Sequence, residues 1–359
     1  MHRRAFHASA ASAVAGLLMA KPRTHAASPR GKIKIGQIGT AHAHAAGKLA
    51  AIRKLADDYE VVGVVESDVA RRERLSQQPP YAGLPWMTEE QLFAAPGLQA
   101  VAVETAVREL VPTALRSVEA GLHVHVDKPA GESMSAVRRL HEIAAGRART
   151  VQMGYMFRYN PAFQLLFQAV REGWLGEIFE VDAVMSKALE GNERKRLLEY
   201  RGGSMFELGC HVIDQLVTVL GKPDRVTAYP RQTRSELDPL VDNQLAVFEY
   251  PHATAAVRSS LVEINGGPRR QFIVCGTEGT LEILPLEPPQ AVLTLTKPCG
   301  AYRKGRQEVE LPKMTGRYDD EFRDLAAVIR GEKPFAWSPQ HDLVTHECIL
   351  RASSLPVDT

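Results

Sequence analysis

Residues 32–44 have the sequence KIKIGQIGTAHAH, in which a short apolar strand is followed by a glycine turn and the start of a helix. We predict the strand over Lys32–Ile38 and the helix from about His44. A turn of this kind is typical of the first unit of a dinucleotide-binding domain. Compared with GxGxxG, however, the turn keeps only Gly39, and Ala41 and His44 replace the other two glycines. By itself the turn is therefore a weak signal.

The segments that follow alternate between strand-like and helix-like patterns. Further strands are predicted over Glu60–Val65, Leu98–Val103 and Leu122–Val126. The helical patterns between and after them cover Val69–Ser76, Glu89–Ala94, Val111–Ala120 and Ser133–Ala145. Apolar strands that alternate with helices indicate a parallel, doubly wound sheet. Residues 31–149 are therefore predicted to form a Rossmann-type domain that binds NAD(P).

Residues 150–359 show a different pattern, in which short strands follow one another closely. We predict them over Val151–Phe157, Ile178–Ser186, Asp224–Tyr229, Gln244–Tyr250, Thr254–Ser260, Arg270–Cys275, Gly279–Ile283 and Gln290–Leu295, with two closing helices over Asp319–Arg330 and Pro339–Ala352. Turn signals between several of these strands predict a large, mostly antiparallel open sheet. Helices would cover one face of it. We expect the other face to be buried in a homodimer or homotetramer.

The composition excludes several classes of protein. Lys plus Arg number 44 against 42 Asp plus Glu, so no polybasic surface for nucleic acid is indicated. Four cysteines in 359 residues are too few for a disulfide scaffold, and no zinc-type spacing of Cys and His occurs. No apolar run approaches the roughly 18 residues of a membrane span, so no membrane partner is expected.

The first 30 residues resemble a leader peptide. A basic start at Arg3 and Arg4 precedes a weakly apolar stretch over Ala8–Ala20, and small residues follow at Ala26-Ala27-Ser28. This order is typical of a signal peptide, and the arginine pair with low hydrophobicity resembles a twin-arginine signal. We therefore expect export, for example to a periplasm. The alternative is an unstructured extension on a cytoplasmic protein.

The glycine turn and the end of the second strand supply the candidate cofactor contacts. Gly39, Thr40, Ala41 and His42 would face the pyrophosphate, and Glu66 would accept hydrogen bonds from the adenosine ribose, which favours NAD. NADP stays open, because Arg71 and Arg72 follow closely and could contact a 2′-phosphate, and Glu66 could also be an ordinary strand-end acid. For His42 and His44 we expect positions along the turn or at the helix start. With no third ligand nearby, we predict no metal site.

Several motifs in the rest of the chain resemble those of the Gfo/Idh/MocA oxidoreductases, the family of glucose–fructose oxidoreductase and inositol dehydrogenase. Asp127-Lys128-Pro129 resembles its "EKP" motif, with Asp in place of Glu. Residues 154–162, GYMFRYNPA, resemble "nyRfnP", and residues 202–214, GGSMFELGCHVID, resemble "GGxxxDxGxHxxD". The "tPxxxH" segment begins here at Thr105 but lacks its Pro and His. The resemblance extends from about Lys32 to Ala352.

This resemblance implies the site residues. Lys128 would polarise the substrate hydroxyl, His211 would take its proton, and Glu207 would orient His211 or bind a neighbouring hydroxyl. Thr105, Lys128 and Pro129 would also contact the cofactor. From the residues alone, Glu207 could instead form a capping box with Ser204, His211 could be a core histidine, and Lys128 a surface lysine.

Three residues are further candidates for substrate contacts. Tyr155 and Arg158 belong to the GYMFRYNPA segment, and Asp214 lies three residues after His211. Asp214 would share a helix face with Glu207 and His211, although an acid at such a position is more typical of a structural partner for a nearby donor. We place all three near the substrate cleft.

The predicted function is NAD(P)-dependent oxidation of a sugar, cyclitol or related polyol. One alternative is a redox-neutral glycoside hydrolase or lyase that keeps its NAD bound through oxidation, elimination and reduction. Export would favour it, because no pool of fresh NAD is expected outside the cytoplasm. A second alternative is a non-catalytic sugar sensor, against which the presence of both Lys128 and His211 counts.

Overall fold

A computed structural model describes residues 31–358. Its first sheet contains six parallel strands, which are β1 Ile33–Ile38, β2 Tyr59–Val65, β3 Trp86–Met87, β4 Leu98–Val103, β5 His123–Val126 and β6 Val151–Met153. The strands lie in the order β3-β2-β1-β4-β5-β6. The direction of winding reverses between β1 and β4. Doubly wound sheets bind their ligands beyond the carboxyl ends of the strands at such a point.

Five helices follow the strands of this sheet, and they are α1 Ala45–Lys54, α2 Val69–Leu75, α3 Glu89–Phe93, α4 Val107–Glu119 and α5 Met134–Gly146. Local signals explain several starts, because the Asp68, Thr88 and Ser133 side chains each accept a backbone N–H of the first turn. Helix α4 begins at Val107, four residues before the predicted start. No side chain caps it, so the local sequence carried no start signal.

The second sheet has eight strands, which are β7 Ile178–Val184, β8 Arg225–Arg231, β9 Asn243–Glu249, β10 Thr254–Ser260, β11 Gln271–Gly276, β12 Gly279–Leu286, β13 Pro289–Leu295 and β14 Gly305–Val309. Their order is β14-β13-β12-β11-β7-β10-β9-β8. Only β7 and β10 pair in parallel, and the other neighbours are antiparallel. The predicted combination of a Rossmann-type sheet and a mostly antiparallel open sheet is confirmed.

The remaining α-helices are α6 Pro161–Arg171, α7 Gly191–Arg196, α8 Cys210–Leu220, α9 Asp319–Ile329 and α10 Pro339–Ala352. Short 3₁₀-helices cover Met156–Tyr159, Leu197–Glu199 and Gly267–Arg269, and a π-helical turn covers Met205–Gly209. In the part of the chain that the structure describes, no helix is both long and apolar enough to cross a membrane.

Two local predictions were wrong. The strand predicted over Val151–Phe157 for the second sheet is shorter and pairs with β5, so it is the last strand of the first sheet. The capping box that the sequence allowed between Ser204 and Glu207 is absent, because residues 205–209 form a π-helical turn that the Ser204 side chain does not cap. The Ser204 hydroxyl instead lies 3.0 Å from Oε1 of Gln244 and 2.8 Å from the Ser259 carbonyl. These contacts tie the turn to the second sheet and remove the capping-box alternative for Glu207.

Candidate active site

The glycine turn packs tightly against the end of the neighbouring strand. Gly39 has φ +88°, and a Cβ atom at this position would lie 2.7 Å from the backbone of Thr105. The Gly39 N–H donates to the Val65 carbonyl at 2.8 Å, and the His42 N–H donates to the Glu104 carbonyl at 3.0 Å. Only glycine fits this close approach, which holds the turn across the carboxyl ends of β1, β2 and β4.

Glu66 stands beside this turn, as predicted, but its carboxylate already has partners in the chain. It accepts the Thr40 backbone N–H at 3.1 Å, the Thr40 hydroxyl, and the Asp68 N–H at 2.9 Å. The Arg71 guanidinium lies 3.6 Å away. Glu66 therefore shapes the turn, and its proposed contact with a ribose stays a prediction.

A cavity of about 690 Å³ opens along the strand ends. Its lining includes Gly39, Ala41, Glu66 and Thr105 of the predicted cofactor set, together with Arg71, Arg72 and Arg116. The volume lies in the range of cofactor pockets, and the guanidinium groups complement phosphates. The close-packed turn and this cavity together fit the adenosine half of a dinucleotide.

His42 and His44 converge on Asp127, which follows β5. The Nδ1 atoms of the two rings lie 3.1 Å and 3.2 Å from Oδ2 of Asp127. His42 Nε2 donates to the Lys128 carbonyl at 3.0 Å, because a carbonyl can only accept. Burial lowers the pKa of His44 to about 4 although Asp127 opposes this, so the ring is neutral at pH 7. Asp127 thus orients both rings of the turn.

A buried layer of charge supports Asp127 from behind. The Lys48 ammonium lies 2.7 Å from His125 Nε2, 3.1 Å from a Glu321 oxygen and 3.6 Å from Asp127. Glu104 is fully buried, and among the described residues 31–358 neither of its oxygens has a hydrogen-bond partner. Burial and the nearby Asp127 hold the pKa of Glu104 well above its ordinary value.

No metal site is predicted from the sequence, because no third ligand lies near the two histidines along the chain. The structure places the Asp127 carboxylate against both rings, so that reason no longer holds. The Lys48 ammonium already supplies a positive charge beside the shared oxygen, however. We therefore interpret the group as a hydrogen-bonded cluster.

Lys128 and Glu207 meet from opposite sides of the site, at the end of β5 and in the π-helical turn. Lys128 Nζ donates to the Glu207 carbonyl at 3.0 Å and lies 3.5 Å from its carboxylate, whose other oxygen accepts the Tyr200 hydroxyl at 2.5 Å. Burial opposes the charged form of Lys128, but Glu207 and other anionic neighbours outweigh it and raise the pKa of the lysine. Sequence reasoning did not single out Tyr200.

His211 lies on α8, next to this pair, and only 2% of its surface is exposed. Its ring centroid is 5.5 Å from that of Phe157 and 6.4 Å from that of His44. Within residues 31–358 its buried Nδ1 atom has no hydrogen-bond partner, so Glu207 does not orient the ring, and the alternative that Glu207 binds a neighbouring hydroxyl stays a prediction. The Glu207 carboxylate is held by Tyr200 and Lys128 instead. Burial and the charge of Lys128 keep the pKa of His211 well below its ordinary value, so the ring is neutral.

The three predicted substrate contacts lie inside the protein. Arg158 is fully buried and binds Asp214 through two nitrogens, at 3.0 Å and 2.7 Å, and Asp342 at 2.6 Å. The Tyr155 ring stacks on the Arg158 guanidinium at 5.0 Å and is 2% exposed. Arg158 and Asp214 bind each other and are fully buried, so the structure contradicts their placement in an open cleft and assigns them to the core.

A second cavity, of about 310 Å³, lies between the turn and the segment that follows β7. One wall consists of residues 41–43 and 106–108. The opposite wall includes Lys187, Leu189, Tyr200 and Glu207. Pro129 follows Lys128 in a cis peptide bond. Glu207, whose carbonyl accepts from the Lys128 ammonium at 3.0 Å, lines this cavity.

Comparisons with known proteins agree with this architecture. Residues 33–155 match the family described as "Oxidoreductase family, NAD-binding Rossmann fold", and residues 163–282 match the "GFO/IDH/MocA C-terminal domain". The Escherichia coli K12 oxidoreductase YhhX is 29% identical over 206 residues, which are 57% of this chain and 58% of YhhX. The chain thus spans less than two thirds of that relative.

Two further proteins align over most of the chain. The "D-xylose 1-dehydrogenase (NADP(+)) 2" of Haloferax volcanii is 28% identical over 309 residues, which cover 83% of this chain and 90% of the relative. The crystal structure of the aldose-aldose oxidoreductase from Caulobacter crescentus superimposes with a TM-score of 0.76 at 19% identity, over 90% of this chain and 98% of that one. The structural likeness concerns the fold alone. With both of its domains matched in order, this chain belongs to the Gfo/Idh/MocA oxidoreductase family.

Proposed function

We propose that the protein is an NAD(P)-dependent oxidoreductase that acts on a hydroxyl group of a sugar, cyclitol or related polyol. One observation carries the proposal. A charged lysine, Lys128, and a neutral histidine, His211, lie close to the dinucleotide turn, on elements from the two halves of the site. A cation that favours an alkoxide and a base that is free to accept a proton are what hydroxyl oxidation requires.

Each residue of the site would have a separate role in the reaction. When bound, the nicotinamide supplies the hydride acceptor. Glu207 takes up two contacts of the Lys128 ammonium, which has three N–H groups, so one remains for the substrate oxygen. The neutral His211 would accept the hydroxyl proton. Tyr200 holds the Glu207 carboxylate and thereby fixes the position of Lys128.

The names of two similar proteins support the substrate class. The Haloferax volcanii relative is named for D-xylose and NADP(+), and the Caulobacter crescentus structure is named for aldoses. We take from these names the class of substrate and the use of a nicotinamide cofactor. NAD and NADP are both retained, because Glu66 and Arg71 lie together at the adenosine end of the cavity.

The test is a panel of sugars, polyols and glycosides, assayed with NAD and with NADP for reduced nicotinamide and for bond cleavage. Lys128→Met and His211→Ala should each lower kcat by about 10²-fold or more, the size of an acid/base contribution, while they keep the fold and cofactor binding. Wild-type turnover by either variant on the true substrate would refute the mechanism. Bond cleavage without net reduction of the cofactor would favour the redox-neutral alternative.

We also propose that residues 1–30 direct export through the twin-arginine route. The leader lies outside the described residues, so the proposal rests on its sequence alone. An exported enzyme would have to retain its cofactor, because the compartment offers none for exchange. Protein purified from the export fraction should then release nicotinamide cofactor in near one-to-one amount when denatured. Cofactor-free protein that consumes added NAD stoichiometrically would indicate an ordinary cytoplasmic dehydrogenase.

A further inference from the structure

The charged groups at the rim of the 310 Å³ cavity cancel one another. Arg108, Glu193, Arg196 and Glu199 are all exposed there, and they contribute two positive and two negative charges. Glu193 and Arg196 lie 3.9 Å apart. Because exposed charges are also screened by salt, the rim does not select a charged ligand.

The inner wall of the same cavity carries the ammonium group of Lys187. Lys187 follows β7, and its backbone N–H donates to the Ser260 carbonyl at 2.9 Å, so its main chain is fixed to the second sheet. Within residues 31–358, no hydrogen bond or ion pair engages its ammonium group. The side chain is partly buried, and burial lowers the pKa of this lysine although Glu207 opposes the shift, so its positive charge is only partly compensated.

The balance of charge around the inner wall is positive. Glu207 is the acid on this wall, and its carboxylate is already shared between Lys128 and the Tyr200 hydroxyl. Arg71 also lines the cavity, but Glu66 lies 3.6 Å from its guanidinium. Lys128 and Lys187 therefore contribute two positive charges against the one carboxylate of Glu207, and one positive charge is left over.

We propose that the substrate is a sugar acid, such as a hexuronate, whose carboxylate binds the ammonium of Lys187 while one of its hydroxyls meets Lys128. This inference rests on the proposed function, because it names the substrate class of the same site. A cavity of about 310 Å³ has room for a monosaccharide. The single positive charge of the Lys187 ammonium matches a singly charged carboxylate. The attraction between the two would be stronger than at an open surface, because less water screens a partly buried ion pair.

Another anion, the pyrophosphate of the cofactor, is expected on the opposite wall. Residues 41–43 of the glycine turn form that wall, whereas Lys187 belongs to the wall that the second sheet supplies. A variant of Lys187 should therefore change the kinetics for the sugar and leave the KM for the cofactor unchanged.

The experiment compares D-glucuronate and D-galacturonate with D-glucose, D-xylose and glucose 6-phosphate as substrates of the full-length enzyme. We expect kcat/KM to be at least about 10-fold higher for the uronates than for the neutral sugars. Lys187→Met should remove that preference through a rise in KM of about 10- to 100-fold for uronates, with little change for neutral sugars, and Lys187→Arg should retain part of it. Lys195→Met, which removes an exposed lysine of α7 outside the cavity lining, is the matched control.

The possible results separate the two proposals. If neutral sugars are oxidised as well as or better than uronates, or if Lys187→Met affects both classes equally, the sugar-acid inference is wrong and the proposed function stands. A preference for glucose 6-phosphate, or a raised cofactor KM in Lys187→Met, would also overturn it. If none of these compounds nor any polyol of the wider panel is oxidised, the proposed function itself fails.

Discussion

Replacement of Arg158 by methionine tests whether this residue belongs to the core or to the substrate site. The guanidinium makes three charge-assisted hydrogen bonds, at 3.0 Å, 2.7 Å and 2.6 Å, to carboxylates of Asp214 and Asp342 that are 0% and 3% exposed. Methionine would fill part of the space and leave both carboxylates buried without their cation.

The size of the effect follows from that arrangement. Loss of one partner from a buried ion pair typically destabilises a protein by about 3–5 kcal/mol, because the remaining charge stays buried. At roughly 2 °C per kcal/mol for a chain of this length, Tm should fall by about 6–10 °C. Arg158→Lys keeps the charge but not the paired nitrogens, so we expect a smaller loss.

The assay is thermal unfolding for Tm and chemical unfolding for the free energy of unfolding, both followed by circular dichroism, together with steady-state kinetics below the unfolding transition. Arg171→Met, on the exposed side of α6, is the matched control and should change the free energy of unfolding by less than about 0.5 kcal/mol. The folded fraction of Arg158→Met should retain the wild-type KM for the sugar.

The same variant has a defined pH dependence. Burial would raise the pKa of Asp214, but Arg158 and His341 outweigh it and lower the value in the folded protein. The stability that this pair contributes is therefore present above the ordinary pKa of about 4 and is lost as the pH falls below it. The difference between wild type and Arg158→Met should shrink toward acidic pH. An unchanged Tm combined with a raised KM would refute the structural role and restore Arg158 to the substrate site.

Three further predictions concern the cofactor, the buried charges and the open sheet. Glu66→Ala should weaken binding of NAD more than of NADP, because a carboxylate repels a 2′-phosphate; equal affinities in the wild type, measured by fluorescence titration, would contradict this. Burial raises the pKa of Glu321 to about 7 although Lys48 opposes it, so the folded state binds this proton more tightly than the unfolded chain. The free energy of unfolding of the wild type, relative to that of Glu321→Gln, should therefore fall by up to about 3 kcal/mol between pH 4.5 and pH 7. If the difference between the two proteins does not change with pH, the raised pKa of Glu321 is excluded. Ile273→Glu, on the half-buried face of β11, should lower the mass measured by light scattering if that face joins subunits; an unchanged oligomer would place the interface elsewhere.

Much of the architecture could be predicted from local patterns. Apolar strands alternate with helices up to β5, and this alternation indicates a parallel sheet wherever it occurs. Helix starts with an Asp, Thr or Ser side chain at the cap were located to within one residue, as at Ser133 before α5. Lys128 and His211 were likewise located by the motifs around them. These features depend on neighbours a few residues apart, which the sequence displays directly.

Pairings between distant residues could not be predicted in the same way. The three residues of the Val151–Met153 strand, VQM, carry no pattern that distinguishes the first sheet from the second, and only the pairing with β5 assigns the strand to the first sheet. His42 and His44 lie more than 80 residues from Asp127, so the sequence showed two histidines without a third partner.

The roles of the buried charged residues also depend on the tertiary structure. Arg158 and Asp214 had the residue types of a substrate site, and Glu207 had the spacing to orient His211. In the folded protein these side chains have other partners. Arg158 is buried between two carboxylates, and the Glu207 carboxylate contacts Tyr200 and Lys128. The sequence by itself determined which elements form and which residue types are available for chemistry. The tertiary structure decided which charges satisfy each other and which, like Lys187, are left for a ligand, because the Coulomb energy of a charge depends on distance and exposure rather than on position along the chain.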